Sequence, residues 1–238
     1  MDKGPEVYNW TKFVRNLLYP PRCVLCGGPG DAGIDLCRGC RDELPRNGPA
    51  CPRCGSPLAI AGVPCGPCTR RPPPFTRSII PFRYDAPLDY LLQQLKFHQG
   101  LQLAPLLAVL LAEAVRQRGA PLPECLLPVP LHPQRLRERG YNQALELARP
   151  ISRLLGVPID YGLCQRRRAT PAQTSLSGKE RLRNLRGAFV AARSEMPHHV
   201  AIVDDVVTTG ATVEELARTL RRAGVEEVEV WACARAGS

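Results

Sequence analysis

The chain reads as an α/β protein: a parallel sheet with helices on its faces, preceded by a small cysteine-rich module. Three observations predict this. Beyond Phe75, short apolar segments alternate with segments of helical periodicity. Of the 11 cysteines, those before residue 70 all fall in C-x-x-C pairs. Between the two regions lies Arg71-Pro72-Pro73-Pro74, a stiff linker at which composition changes. The expected boundaries are therefore a helix over 1–20, a metal module over 21–71 and an α/β domain over 75–238.

Composition bounds the rest. An apolar share of 44% is enough for a real core. The longest uncharged apolar run, Leu101 to Ala112, contains Pro105 and is far shorter than the ~20 residues a membrane span needs. Met1 to Pro20 lacks the basic start and small-residue cleavage site of a secretory signal, which places the protein in the cytoplasm. The formal charge of +10 rests almost wholly on Arg, which suits phosphate-bearing partners and is also what a GC-rich genome produces.

Residues 5–19 put Val7, Trp10, Val14 and Leu17 at helical spacing, so a short amphipathic helix is expected. Residues 22–70 are a repeat: Cys23, Cys26, Cys37 and Cys40 recur 28 positions later as Cys51, Cys54, Cys65 and Cys68. Gly27 and Gly55 follow the first pair in each copy. In the larger domain, Ser78–Tyr84, Cys125–Val129, Val200–Val203 and Val228–Ala232 read as strands. Leu88–Phe97, Leu103–Arg118, Asn142–Leu155 (disturbed at Pro150) and Ala211–Ala223 read as helices.

A segment this poor in large apolar residues cannot fold on a hydrophobic core, and bound metal can supply the missing order. Each copy, C-x2-C-x10-C-x2-C, offers four thiolates, enough to close a tetrahedral site with no open position. Two structural Zn2+ ions are expected. Iron–sulfur is the rival, and spacing leaves open whether each ion takes its ligands from one copy or from both.

The second signal is Val200-Ala-Ile-Val-Asp-Asp-Val-Val-Thr-Thr-Gly-Ala-Thr212. An apolar strand ends in Asp204 and Asp205; Thr208, Thr209, Gly210, Ala211 and Thr212 then lead into a helix. Amides and hydroxyls at a helix start suit an anion, and adjacent carboxylates suit vicinal sugar hydroxyls. Gly210 allows close approach of the backbone. A sugar phosphate offers both kinds of group. The run is neither a Walker loop nor a dinucleotide fingerprint.

This stretch resembles the phosphoribosyl pyrophosphate motif of type I phosphoribosyltransferases. The resemblance implies that Asp204 and Asp205 face the ribose hydroxyls, and that Thr208 to Thr212 hold the 5-phosphate. Leu127-Pro-Val-Pro-Leu-His132, then Arg135, Arg137, Arg139-Gly-Tyr-Asn142-Gln143, with Leu95-Lys96-Phe97 upstream, narrows it further. Together these resemble the ComF/GntX family of phosphoribosyltransferase-like proteins, whose members also carry an N-terminal zinc ribbon. By that resemblance the fold is a type I phosphoribosyltransferase-like sheet, Val129, Pro130, Leu131 and His132 form the pyrophosphate loop, and Lys96, Arg137, Arg139, Asn142 and Gln143 are family signature residues. Read from the residues alone, Arg135 to Arg139 also fits a solvated basic loop, and His132 between two prolines also fits turn geometry. In the resembled fold residues 166–186 correspond to the loop that closes over pyrophosphate, which implies Thr170, Gln173, Thr174, Lys179, Arg183 and Asn184 as contacts. Mg2+ would accompany the pyrophosphate.

Two functions follow from different classes. One is a phosphoribosyltransferase acting on an unidentified acceptor. The other is a binding protein that aids uptake of single-stranded DNA beside a ComFA-type helicase. Leu127 to Ala188 carries 12 bases against 4 acids, which favours a phosphate-bearing partner in either case. An aromatic content of 5% argues against extensive base stacking.

Overall fold

The computed structural model describes residues 20–31, 33–97, 100–168 and 185–237. The helix expected over residues 5–19 lies outside the described residues, as do the six loop contacts from Thr170 to Asn184. The chain separates into two compact units, Met1–Leu44 and Pro45–Ser238. The first cysteine repeat belongs to the smaller unit and the second to the larger.

In the smaller unit the C-x-x-C turn is closed by Gly27 N–H donating to Cys23 O at 2.8 Å, with Gly27 at φ 75°. Single bridges pair Arg22 with Pro29 and Asp31 with Ile34. The one-turn helix α1 (Arg38–Asp42) starts at Cys37, whose sulfur accepts from the Cys40 amide. The larger unit repeats this pattern. Gly55 N–H donates to Cys51 O, a bridge joins Ala50 to Pro57, and α2 (Gly66–Arg70) carries Cys68.

The expected strand over 78–84 is two strands, β1 (Arg77–Ile79) and β2 (Phe82–Arg83), interrupted at Ile80–Pro81. Pro81 has no amide to give the ladder, and its carbonyl instead accepts from Asn47 N. This edge of the sheet is covered by the second ribbon. Ser78 N–H donates to Pro52 O, Arg83 N–H to Pro45 O, and the Asn47 side chain bridges Gly55 O and Ile80 O.

Helix α3 (Leu88–Phe97) has the expected bounds. A 3-10 turn (Leu101–Leu103) leads into α4 (Ala104–Gln117), then β3 (Cys125–Pro128). The Arg135–Arg139 stretch is a helix, α5 (Pro133–Arg139), and not a loop. Pro133 occupies its first turn and Gly140, at φ 83°, closes its end, the asymmetry that helices favour. Helix α6 (Gln143–Leu155) runs on through Pro150. Next, β4 (Cys164–Arg166) and β5 (Phe189–Ala191) form a separate antiparallel pair. The chain ends with β6 (His199–Val207), α7 (Ala211–Arg222) and β7 (Glu227–Arg235).

The main sheet has the order β1-β7-β6-β3, with β2 also on β7, and every pairing is parallel. Both faces are covered, as parallel sheets require. Val200 and Ile202 of β6 share a core with Leu216 and Leu220 of α7. Alternation along the strand sends Ala201 and Val203 to the other face, where α4 and α6 pack. Strand β6 is longer than its apolar run because pairing with β7 continues past both aspartates to Val207↔Arg235.

One carboxylate sits in this core. Glu229 is 0% exposed; its Oε2 accepts from the Arg118 guanidinium and from Trp231 Nε1 at 2.7 Å. Its Oε1 lies 3.3 Å from His199 Nε2 and 3.6 Å from Arg77 Nε. Arg118 also stacks over the Trp231 ring. Glu229→Ala would leave the Arg118 charge without its carboxylate, though still donating to Ala120 O and Pro121 O, and the indole N–H without an acceptor inside the protein. It is expected to lower stability by about 3–5 kcal/mol, read as a fall in the urea midpoint.

Candidate functional site

At the carboxyl ends of the central strands, β6 carries two adjacent acids into a largely apolar environment. Asp205 is 2% exposed and Asp204 is half-buried. Lys96, in the last turn of α3, places Nζ 3.2 Å from Asp205 Oδ2. Burial works to raise Asp205, but the Lys96 ammonium and hydrogen bonds hold its carboxyl below the ordinary value. Burial, and then the charge of Asp205, push Asp204 well above the ordinary value. Asp205 in turn raises Lys96. The two carboxyls are thus pushed in opposite directions, Asp205 down and Asp204 up.

The turn that follows is shaped for an anion. Gly210 adopts φ 82° and opens α7, where a side chain would be strained. The Thr209 hydroxyl accepts from Ala211 N, and Thr208 and Thr209 are exposed. A small cleft runs from Asp204 over Thr208 and Gly210 to Thr212 and Val213. Amides at the start of α7 and the threonine hydroxyls line it, as phosphate sites require.

The residues of the second motif divide between site and scaffold. Val129 N–H donates to Val203 O, which fixes the loop beside β6. Asn142 caps α6 through Ala144 N and donates to Val129 O at 3.0 Å, stitching that loop to the helix. Tyr141 donates its hydroxyl proton to Leu95 O, anchoring α3 just before Lys96. Arg139 donates to the buried Gln143 side chain and lies over the Phe97 ring. His132 Nδ1 accepts from Gln134 N as the cap of α5, which is the turn-geometry role. Arg137 is exposed. Pro130 and Leu131 line a neighbouring groove with Tyr161, which is 72% exposed.

Two arginines at the site escaped sequence reasoning. Arg235, at the end of β7, is buried; it donates to Val207 O at 3.0 Å and to Ser56 Oγ at 3.3 Å. Ser56 Oγ lies 3.2 Å from Cys54 Sγ. A continuous chain of polar contacts thus joins the second cysteine cluster to Val207, which precedes the Thr208–Thr212 turn. Arg166, over the Phe189 ring, is pulled down by burial and raised by the Asp204 charge, so it belongs to the same electrostatic neighbourhood.

The cysteines gather into two sets of four, each from one repeat, with the sulfurs of each set within 4.8 Å of one another. This answers the question of pairing: the ligands are not interleaved. A tetrahedral zinc tetrathiolate has sulfurs about 3.8 Å apart. Cys26 and Cys37 sulfurs are 3.8 Å apart, and those of Cys54 and Cys65 are 3.6 Å apart. Against burial, which would raise them, neighbouring backbone amides bring Cys23 and Cys51 down to about 6. The donor set is compatible with structural zinc in both ribbons.

Comparison with known proteins agrees with this division. Residues 14–69 match the family described as double zinc ribbon domain, and residues 142–238 match the phosphoribosyl transferase domain. Competence protein F of Haemophilus influenzae is 40% identical over 223 residues, covering 90% of this chain and 97% of that protein. DNA utilization protein YhgH of Escherichia coli K12 is 40% identical over 227 residues, covering 92% of this chain and 99% of that protein. Competence protein ComFC of Streptococcus pneumoniae is 28% identical over 107 residues, 45% of this chain and 46% of that protein.

Because the folded value of Asp204 is raised, the folded state binds that proton more tightly than the unfolded chain does. Ionising it therefore destabilises the fold as pH rises above the unfolded carboxyl value of about 3.9. Asp204→Asn is expected to be more stable than the parent, by a margin that widens from about pH 4 upward and levels off once the folded value is passed. Urea titrations across that range measure it.

The link through Arg235 gives a second expectation. Cys54→Ser should lower zinc from two to one per chain, given the two clusters, and speed amide exchange in the turn from Thr208 to Gly210. Cys26→Ser, which removes a ligand from the other unit, is the control for metal loss itself. Metal analysis and hydrogen-exchange mass spectrometry read the two outcomes.

Proposed function

The chain belongs to the ComF family of phosphoribosyltransferase-like proteins, and on that premise we propose that it binds phosphoribosyl pyrophosphate at the C-terminal edge of its sheet and serves in handling single-stranded DNA during uptake. The observation that carries the first half is the pairing of an acidic doublet with an anion-shaped turn. Asp204 and Asp205 accept hydrogen bonds from the two ribose hydroxyls. The turn from Thr208 to Thr212 receives the 5-phosphate on helix-start amides and hydroxyls. Val129 to His132, fixed to β6 at Val203 O, faces the pyrophosphate.

Mg2+ suits a site with two carboxylates and a ligand rich in phosphate oxygens, and when bound it would neutralise charge on the pyrophosphate. Lys96 neutralises Asp205 in the free protein and is available to the ligand once a cation or hydroxyls replace it. His132 Nδ1 is taken up as a helix cap, and charge stabilisation is the chemistry that the cationic and amide groups around the site supply.

The second half rests on the relatives, Competence protein F and DNA utilization protein YhgH, and on surface charge. Arg137, Arg149, Arg153, Arg167 and Arg168 are exposed, with Tyr161 as an aromatic face near Arg149. Such a surface suits a phosphate backbone with little stacking.

Calorimetry on the zinc-loaded chain with phosphoribosyl pyrophosphate and Mg2+ is expected to show binding that Asp204→Asn with Asp205→Asn abolishes. Retained affinity in that double variant would remove the assignment. Binding to single strands should weaken with salt, with a log–log slope that counts the phosphates contacted. Arg137→Gln should lower that slope by about one.

A further inference from the structure

At the amino ends of the central strands, opposite the edge that carries the acidic doublet, a second group of ionisable side chains converges. His199 opens β6 and Glu227 opens β7, and the parallel register sets the two side by side. Glu229 lies two residues along β7, so it shares the face of Glu227. Arg77 of β1 stands across from Glu229 on the other side. Neither the phosphate turn nor the ribbons use these three ligand-type residues.

Their geometry is that of ligands around an ion. His199 Nε2 and Glu229 Oε1 stand 3.3 Å apart. Both atoms are buried, and neither has a hydrogen-bond partner among the described residues. Two lone-pair atoms this close, and not aligned for a hydrogen bond, repel each other unless a cation lies between them. Ligands about 2.0–2.1 Å from a tetrahedral metal lie about 3.3–3.4 Å from each other. The observed spacing matches. One ligand atom from each of His199, Glu227 and Glu229 lies within 4.8 Å of the others. Glu229 Oε2 is held by Arg118 and the Trp231 indole, which fixes the carboxylate and leaves Oε1 to the site. Carboxylates that bind metals take this kind of outer support. Glu227 is steadied by the Thr76 hydroxyl at 3.5 Å and, being one-third exposed at 33%, has the freedom to close on an ion.

The rival reading is a plain ion-pair network with Arg77 as its cation. Arg77 Nε is 3.6 Å from Glu229 Oε1, and Nη2 is 4.0 Å from Glu227 Oε1, both beyond hydrogen-bond length. A buried carboxylate oxygen left without a hydrogen bond is costly. The Arg77 side chain is 41% exposed and can turn to solvent when a stronger partner arrives.

We infer that His199, Glu227 and Glu229 form a metal site distinct from both ribbons and from the doublet, and that it takes a divalent ion of the zinc class. One imidazole nitrogen with two carboxylate oxygens suits Zn2+ or Co2+ better than Mg2+, which prefers oxygen ligands throughout. The two carboxylates balance the charge of the ion. Bound there, it ties the first residues of β6 and β7 together and binds only the folded chain, so it raises stability as free metal rises. The site stands whether or not the doublet holds a sugar.

The test titrates the zinc-loaded full chain with Co2+, followed by visible absorption. One Co2+ beyond the ribbon zinc is expected at this cluster, with d–d bands but without the thiolate charge-transfer bands that exchange into a ribbon gives. Glu227→Gln should weaken it by about tenfold or more without changing the circular dichroism, and so should His199→Ala. Arg77→Gln should tighten it severalfold by removing a like charge beside the ion. His198→Ala is the control for loose surface binding, since His198 lies 2.9 Å from Glu226 and is 62% exposed. Asp204→Asn with Asp205→Asn is the control for a cation at the doublet. The bands should persist in both controls. If no Co2+ binds beyond the ribbons, if the bands survive Glu227→Gln and His199→Ala, or if they vanish with His198 or with the doublet, the inference falls and the cluster is an ion-pair network only.

Discussion

Two carboxyl groups on consecutive residues at the buried end of a central strand set the terms for this structure. Side by side in a low-dielectric setting they cannot both be ionised without compensation. The fold answers with Lys96, whose ammonium sits 3.2 Å from Asp205, while burial and the Asp205 charge push Asp204 well above its ordinary value. Placing that lysine requires α3 to end over the strand tips, and Tyr141 fastens α3 there by its bond to Leu95 O. The same Tyr141 belongs to the segment whose Asn142 fixes the Val129 loop to α6. Three separated stretches of sequence are thus drawn to one point by the need to accommodate the doublet.

The second ribbon has a place in this arrangement that metal-dependent folding alone does not explain. A closed four-thiolate site needs only its own ligands. Here the ribbon also covers the edge made by β1 and β2, and through Ser56 and Arg235 it reaches Val207 O at the start of the phosphate turn. A buried guanidinium must find acceptors, and Arg235 finds them on both sides of this junction. The turn is therefore held at one end by the sheet and steadied by the ribbon.

The sequence made the chemistry legible before the geometry. Eight cysteines at repeated spacing and the D-D-x-x-T-T-G-x-T run are local patterns, and local patterns survive without coordinates. Helix α3 had its bounds set by apolar periodicity alone. Two elements were misread for local reasons. The arginine content of residues 135–139 drew attention from the proline and glycine that bound α5, and the apolar run over 78–84 hid the amide that Pro81 lacks. Arg235 and Arg166 were illegible for a different reason. Their partners, Ser56, Val207 and Asp204, lie far away in sequence, and a lone arginine in a chain with many carries no signal until the fold supplies its neighbours. The Arg118–Glu229–Trp231 network is of the same kind.

Lys96 holds Asp205 below its ordinary value, while burial and the Asp205 charge push Asp204 above its own, and this opposition is how the fold accommodates a buried doublet. A sugar with vicinal hydroxyls offers donors to both carboxyls, and donors to the ionised form lower a carboxyl's pKa. The Lys96–Asp205 ion pair thus ties the doublet to the cleft that Lys96 and Arg139 line, and the two share one electrostatic neighbourhood.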